Sequence, residues 1–254
     1  MIAPLSEQAL QSAAQYLRNA RHAIAFTGAG ISTPSGIPDF RSQGSGLWKK
    51  SDPLKVASLT SFRHTPQVFF DWLQPLAQRI DQSQPNPAHL ALAQMEQAGI
   101  LKAVITQNID GLHQRAGSQT VLEVHGSLTT LSCGTCRGVY ALEDFRSDFL
   151  QDGAIPHCPK CQHILKPDIV LFEEMLPKET WQTAQAHCEK ADVILIAGSS
   201  LEVMPAASLP LIAAENGAVI LINNFTPTFL DEQAAVLLPG DVAEALPRIC
   251  KLLL

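Results

Sequence analysis

The sequence predicts an α/β fold with a doubly wound, mostly parallel sheet and a smaller second lobe. Short apolar runs recur along the chain without alternating with polar residues, which is typical of strands covered on both faces. Windows with helical periodicity lie between several of these runs, and this alternation favours parallel strands joined by crossover helices. The apolar runs are residues 23–26, 102–106, 121–124, 168–172, 192–198, 218–223 and 234–238.

The predicted helices have recognisable faces and ends. They cover residues 6–20, 88–98, 178–190, 205–216 and 241–253. In the first window a helix would place four apolar residues on one face, namely Leu10, Ala13, Ala14 and Leu17. Pro177 suits the first turn of the third window, and Gly217 follows the fourth window, where helices commonly end.

Two stretches break the alternation and are predicted to be insertions that form the second lobe. Residues 42–87 have a helical middle and a proline-rich exit. Residues 131–165 carry four cysteines and little continuous apolar sequence. A chain of 254 residues is long enough for one α/β domain that carries such insertions.

Composition narrows the class of protein. The net charge of −6 gives no overall basic field, so we expect no direct binding of nucleic acid. The first residues lack a basic segment followed by an apolar region, and no apolar run approaches the length of a membrane span. We therefore expect a cytoplasmic protein without membrane contact, whose six cysteines are reduced or bind metal.

Four cysteines have the spacing of a metal site. Two Cys-x-x-Cys pairs are separated by 21 residues, and they are Cys133, Cys136, Cys158 and Cys161. Two such turns would complete a tetrahedral shell for one structural zinc. A catalytic zinc, a disulfide pair and an iron–sulfur cluster are the alternatives. Cys188 and Cys250 lie in helical windows and are expected to be packing residues.

The loop after the first predicted strand, GAGISTPSGIPDFRS, indicates ligand binding. Gly28 and Gly30 lack a Cβ and could bring backbone N–H groups close to a phosphate. Thr33 stands where the dinucleotide-binding pattern calls for a third glycine, so a tight structural turn is the alternative. Asp39 and Arg41 could reach an amide or a phosphate of the ligand, or form a surface ion pair.

Two further motifs follow predicted strands. Gln107, Asn108 and Asp110 would point into the crevice at the strand ends, although Asn108 or Asp110 could instead cap a helix. His125 follows the run VLEV and is the candidate general base. Most other histidines, among them His89, are expected to be surface or packing residues.

Later strand ends carry small or amide-bearing residues that would line the same cleft, unless each is only a turn or a helix cap. They are Gly198, Ser199, Ser200, Asn223, Asn224, Gly240 and Asp241.

Taken together and in order, these motifs resemble the sirtuins, NAD-dependent protein lysine deacylases, over nearly the whole chain. The resemblance implies a Rossmann-like large domain comprising residues 1–41, 88–130 and 166–254. The small domain would consist of a helical module, 42–87, and a zinc-binding module, 131–165. An acyl-lysine peptide would lie in the cleft between the domains, and the products would be nicotinamide, an acyl-ADP-ribose and free lysine.

The resemblance also assigns residues. His125 would be the general base, with Asn108 as a second catalytic residue. The NAD-binding residues would be Gly28, Ala29, Gly30, Ile31, Asp39, Phe40, Arg41, Gln107, Asn108, Asp110, His125, Gly198, Ser199, Ser200, Asn223, Asn224, Asp241 and Val242. The peptide contacts would be Val170, Phe172, Glu173 and Val203.

Two positions bear on the substrate. Glu173 stands where the family usually has the glycine of Phe-Gly-Glu, so its side chain could narrow the peptide groove or favour basic substrates. The positions that read acidic acyl groups in some sirtuins align with Leu73 and Leu76, unless the alignment slips and makes Arg79 the reader. The sequence therefore predicts deacetylation, with longer apolar acyl groups tolerated and succinyl groups disfavoured.

Two other functions compete with the deacylase. An ADP-ribosyltransferase or NAD hydrolase would use the same cleft and would release nicotinamide without an acylated peptide. A non-enzymatic, zinc-bearing binding module would not need the cleft residues.

Overall fold

The computed structural model of the protein describes residues 5–39, 46 and 51–254. Phe40 and Arg41, two of the predicted NAD-binding residues, lie outside this part of the chain. Within it the strands are β1 (Ala23–Thr27), β2 (Leu101–Thr106), β3 (Val121–Glu123), β4 (Gly126–Cys133), β5 (Val139–Ala141), β6 (Leu165–Ile169), β7 (Val193–Ala197), β8 (Val219–Asn224) and β9 (Val236–Pro239).

The helices described are α1 (Glu7–Asn19), α2 (Pro53–Val56), α3 (Leu59–His64), α4 (Pro66–Gln82), α5 (Pro87–Gln97), α6 (Leu112–Arg115), α7 (Lys178–Lys190), α8 (Ser208–Glu215) and α9 (Val242–Leu253). Shorter 3₁₀ or π turns cover Ala29–Ser35, Leu142–Phe145, Ser147–Gln151 and Asp231–Gln233. None of the helices in this part of the chain is both long and apolar enough to span a bilayer.

The main sheet is parallel and has the spatial order β3-β2-β1-β7-β8-β9. This order reverses direction between β1 and β7, as in Rossmann-like sheets. The predicted fold class is therefore confirmed. The reversal point also fixes where a ligand crevice opens, at the carboxyl ends of these two strands.

Successive side chains of the central strands enter different cores. Ala23 and Ala25 of β1 pack in a cluster with α1, α5 and α9. Ile24 and Phe26 of the same strand pack in a second cluster with α7 and α8. Because both faces are covered, all five residues of β1 are buried, which explains the uninterrupted apolar run.

A second sheet corrects the prediction for residues 168–172. That run was expected to form a strand of the parallel sheet, but the strand there is β6, which lies in an antiparallel sheet of order β5-β4-β6. In β6 the buried residues Leu165, Pro167 and Ile169 alternate with half-buried Lys166 and Asp168. This alternation marks a strand with one buried face, and the apolar run had hidden it.

The helical insertion shares a core with this second sheet. Phe69 and Phe70 of α4 pack in one cluster with Phe149, Leu128 of β4 and Ile169 of β6. The two insertions therefore contact each other through apolar side chains. The division of the chain into one large domain and two modules stays a prediction.

Candidate active site

The loops that follow β1 and β7 pack backbone against backbone. The Gly30 N–H donates to the Gly198 carbonyl at 2.8 Å. A Cβ added to Gly30 would lie 2.7 Å from the same oxygen, so only glycine fits. This contact shows that Gly30 is required for a different reason from the predicted one. Its N–H is used within the protein, and the glycine serves close packing rather than presentation of a bare N–H to phosphate.

A cleft of about 810 Å³ opens beside this contact, at the carboxyl ends of the parallel strands. Most of the predicted site residues line it. They are Gly28, Ala29, Gly30, Asp39, Gln107, Asn108, Asp110, His125, Val170, Phe172, Glu173, Gly198, Ser199, Ser200, Val203, Asn224 and Val242. The side chains named from separate motifs thus meet in one place.

Among the described residues, three of the predicted NAD contacts do not line the cleft. Ile31 is fully buried in the core against α1 and α9. Asn223 is also buried, and its Nδ2 donates to the Leu238 carbonyl at 2.7 Å. Asp241 caps α9 by accepting the Ala243 N–H at 2.8 Å. Ile31 and Asn223 are thus buried in the protein, and the Asp241 carboxylate is used as a helix cap.

A chain of hydrogen bonds fixes the floor of the cleft. The Asn108 amide Nδ2 donates to Ser32 Oγ at 3.1 Å and to the Gly28 carbonyl at 3.1 Å. Ser32 Oγ in turn donates to Asp110 Oδ2 at 2.6 Å. Burial raises the pKa of Asp110, while the hydrogen bonds from Ser32 and Leu112 oppose that rise. Asn108 and Asp110 are therefore held in one orientation.

Ser32 is the residue of this floor that the sequence analysis missed. It belongs to the glycine-rich loop, is buried, and lines the cleft. The loop also contains Ser35, and nothing in the spacing of the motif distinguishes the two serines. The signal available in the sequence was only a small hydroxyl residue two positions after Gly30.

The orientation of His125 follows from its hydrogen bond. Its Nδ1 lies 3.1 Å from the Gln107 carbonyl oxygen. Because a carbonyl oxygen only accepts, Nδ1 carries the hydrogen and Nε2 carries the lone pair. Gln107 is itself held, because its Nε2 donates to Ser199 Oγ at 2.9 Å. His125 is thus set up as a base at Nε2.

Gly126 explains why glycine follows this histidine. It has φ of 75°, a left-handed conformation that favours glycine. A Cβ at this position would lie 2.0 Å from the Asp168 carbonyl oxygen of β6. Just before it, the His125 carbonyl accepts the Val170 N–H at 2.8 Å. Close pairing of β4 with β6 therefore fixes the backbone of His125.

Two buried histidines lie beneath the floor. The rings of His89 and His113 are 4.8 Å apart, and His113 Nε2 lies 2.9 Å from Thr27 Oγ1. The same Thr27 hydroxyl donates to Thr106 Oγ1 at 2.8 Å. Burial lowers the pKa of His89 to about 4 and that of His113 well below its usual range. Both are neutral packing residues, as expected for His89.

The four predicted zinc ligands come together away from the cleft. The Sγ atoms of Cys133, Cys136, Cys158 and Cys161 all lie within 4.8 Å of one another. All four are free thiols, which argues against a disulfide pair. Four thiolates at this spacing fit a closed tetrahedral zinc shell, and none of them lines the cleft. The Tyr140 hydroxyl lies 3.2 Å from Cys158 Sγ and can donate a hydrogen bond to it.

Comparison with known proteins identifies the family. The family model described as the Sir2 family matches residues 28–205, which include the glycine-rich loop, the His125 segment and all four cysteines. The chain belongs to the Sir2 family. The sequence resemblance is thereby confirmed, and the four cysteines form the structural zinc site of a sirtuin.

Sir2 relatives match over almost the full length of the chain. It is 46% identical to "NAD-dependent protein deacylase 2" of Archaeoglobus fulgidus over 244 residues, covering 96% of this chain and 95% of the relative. A structure solved to explain the mechanism and regulation of Sir2 enzymes superposes with a TM-score of 0.91 at 45% identity, covering 98% of both chains. Sir2Af2 bound to a myristoylated histone peptide superposes with a TM-score of 0.83 at 40% identity, covering 98% of this chain and 97% of that one.

Replacing a zinc ligand is expected to release the metal. In Cys133→Ser the zinc content should fall from about one per chain to near zero and the thermal midpoint should drop, because metal binding in a closed site is part of the folding free energy. Metal analysis and thermal unfolding measure both effects. Cys188→Ala, which alters a buried thiol outside the cluster, is the control that should keep its zinc. A Cys133→Ser protein that retains zinc would contradict the assignment.

Buried His89 is expected to make stability depend on pH. Its folded pKa of about 4 lies below the unfolded value of 6.5, so the unfolded chain binds a proton first on acidification. Stability is full above pH 6.5 and falls as the pH is lowered toward 4. Between pH 7 and pH 5 the loss from this group is on the order of 2 kcal/mol.

Urea unfolding at the two pH values checks this expectation. His89→Gln should lose about 2 kcal/mol less than the unaltered protein on acidification. His64→Gln changes an exposed histidine and should lose as much as the unaltered protein does. Equal losses in all three proteins would show that His89 does not cause the dependence.

Proposed function

We propose that this Sir2-family chain is an NAD-dependent protein lysine deacylase that converts an acyl-lysine peptide, NAD and water into free lysine, nicotinamide and an acyl-ADP-ribose. The observation that carries the proposal is the convergence of His125, Asn108 and Asp110 in one cleft at the reversal point of the sheet. The similarity to a protein named an NAD-dependent deacylase, and to a Sir2 protein with an acylated histone peptide, supports the same reaction.

The residues of the cleft fit NAD. When bound, NAD supplies the ribose that accepts the acyl group, with nicotinamide as the leaving group. Gln107, Asn108 and Asp110 would surround the nicotinamide and its ribose, and Ser199 and Asn224 would hold the adenosine half. Ser199 and Asn224 are fixed by reciprocal hydrogen bonds, from Ser199 N to Asn224 Oδ1 at 3.0 Å and from Asn224 Nδ2 to the Ser199 carbonyl at 2.6 Å.

His125 supplies proton transfer in this proposal. Its Nε2 would take the proton of a substrate hydroxyl, because Nδ1–H is committed to the Gln107 carbonyl. Asn108 and Asp110 orient the polar groups of the ligand through the Ser32 chain of hydrogen bonds. A site that is oriented in advance loses little free energy to reorganisation during the reaction.

An apolar end of the cleft would receive the acyl group. Trp72, Leu76 and Ile80 of α4 line it at intervals of one helical turn. Leu76 therefore lines the cleft as the sequence predicts, whereas Leu73 is fully buried in the core of the helical segment. Arg79 is exposed and does not line the cleft. The acyl group would meet side chains without charge.

The cytoplasmic location and the absence of direct nucleic-acid binding are parts of this proposal that rest on the sequence alone.

Product analysis tests the proposal. The protein is incubated with NAD and acyl-lysine peptides, and the products are followed by mass spectrometry. We expect nicotinamide and acyl-ADP-ribose to form together, and only when an acylated peptide is present. Nicotinamide release at the same rate without peptide would instead identify an NAD hydrolase or, with a labelled protein product, an ADP-ribosyltransferase.

His125→Ala is expected to lower deacylation at least roughly 10²-fold, the lower end of what a positioned acid–base group contributes. Nicotinamide exchange should survive better than net turnover, because loss of nicotinamide is expected to precede the base step. Both reactions are therefore assayed, with the exposed His157→Ala as the matched control. Full deacylase activity in His125→Ala would remove His125 from the mechanism.

The apolar lining predicts acyl selectivity. The kcat/KM for an acetyl-lysine or longer-chain peptide should exceed that for the succinyl-lysine peptide of the same sequence, because a carboxylate against Trp72, Leu76 and Ile80 would lose its hydration without gaining a partner. Arg79→Ala should leave the ratio unchanged. The prediction fails if the succinyl peptide is used as well as the acetyl peptide, and a ratio that shifts in Arg79→Ala would make Arg79 the reader.

A further inference from the structure

Glu173 adopts a backbone conformation that suits glycine. Its φ is 76°, in the left-handed region where residues with a Cβ are disfavoured. The position is also the one where the sirtuin motif usually has glycine. Strained residues that persist are held by their surroundings and often serve a function. The structure around Glu173 must therefore hold its backbone in this conformation.

The carboxylate of Glu173 binds the first turn of α3. Its Oε2 accepts the Thr60 N–H at 2.9 Å, across 113 positions of sequence. The neighbouring donor in that turn, the Ser61 N–H, is taken by Ser58 Oγ at 3.0 Å. Hydrogen bonds from Thr60 lower the pKa of Glu173, and Arg63 adds to the effect, so the carboxylate is ionised at neutral pH. The side chain thus satisfies a further N–H of the first turn, beside the one that Ser58 caps.

Backbone hydrogen bonds run beside this contact. The Phe172 N–H donates to the Ala57 carbonyl at 3.0 Å, and the Leu59 N–H donates to the Phe172 carbonyl at 3.0 Å. Phe172 and Ser58 form a parallel bridge between them. Residues 172–173 are therefore joined to residues 57–60 by main-chain hydrogen bonds of Phe172 and by the side chain of Glu173.

The joined segment is a wall of the cleft. Phe172 and Glu173 line it, and Val203 and Met204 line it as well. Phe172 and Met204 are 40% and 66% exposed, so apolar surface is available there to a bound chain. A peptide that adds to a sheet edge as an extra strand needs the backbone of that edge to be held in place. Disorder in residues 170–173 would have to be removed on binding.

We propose that Glu173 is a positioning residue. Its carboxylate holds residues 170–173, which would bind the peptide, against α3 and so sets the affinity for the acyl-lysine peptide. This inference rests on the proposed deacylase function. It replaces the two roles suggested by the sequence, a narrower groove or a charge that selects basic peptides, with a structural tie made by the same carboxylate.

Comparison of two substitutions tests the proposal. Glu173→Gly removes the tie and the backbone strain together, so the peptide KM should rise roughly 10-fold while the thermal midpoint stays constant or increases. The kcat and the KM for NAD should change less than twofold. Glu173→Gln keeps an oxygen acceptor at the same reach and should restore most of the peptide affinity. Glu179→Gln, on the exposed face of α7, is the control.

Hydrogen exchange supplies a readout that does not depend on activity. The Thr60 amide should exchange faster in Glu173→Gly than in the unaltered protein, and Glu173→Gln should restore its protection. If the unaltered protein shows no NAD-dependent deacylation, the proposed function is wrong. The exchange rate of the Thr60 amide would still show whether Glu173 binds α3.

Three outcomes with an active unaltered protein would overturn the inference. One is an unchanged peptide KM in Glu173→Gly. Another is an equal rise in the KM for NAD, which would indicate general distortion of the cleft. The third is a Glu173→Gln protein whose peptide KM rises as in Glu173→Gly, but only for basic peptides. That result would assign the effect to the charge of Glu173.

Discussion

The contact between Gly30 and Gly198 governs the geometry of the active site. Here two loops from adjacent strands of the sheet approach until main chain meets main chain. The approach places Ser32 within reach of Asn108 and Asp110, which arrive from a third strand. A larger residue at either glycine would separate the loops, and the hydrogen-bonded floor of the cleft would lose its shape. The chemistry therefore depends on a contact that involves no reactive group.

Much of the site was predictable because its residues follow buried strands. Parallel strands end on one edge of a sheet, so Asn108, His125 and Ser199 had to lie near one another once the strands were recognised. The direction of a side chain within a turn was not predictable. Asn223 lies near the end of β8 and Asp241 follows β9, but their side chains satisfy neighbouring backbone groups. Sequence alone does not tell a helix cap from a ligand contact.

The sequence predicted about as much of the fold as of the site. Strands buried on both faces gave a clear signal, and the main sheet agrees with it. Strand β6 was assigned to the wrong sheet because its alternating residues adjoin a continuous apolar run. The apolar positions of α4 were evident from the sequence, but the face that lines the cleft was not. Leu73 was therefore expected to contact the acyl group, whereas Trp72 lines the cleft instead. A shift of one residue rotates a helix position by about 100°.

The two ends of strand β4 lie at two different sites. Its first residue, Gly126, directly follows His125, the proposed general base, and its last, Cys133, is a ligand of the zinc site. Eight residues of extended chain, on the order of 27 Å, thus separate the metal from the base. The zinc takes no part in the reaction, yet it anchors the far end of the strand that holds His125. Loss of the zinc would therefore release one end of the strand whose other end fixes the backbone of His125.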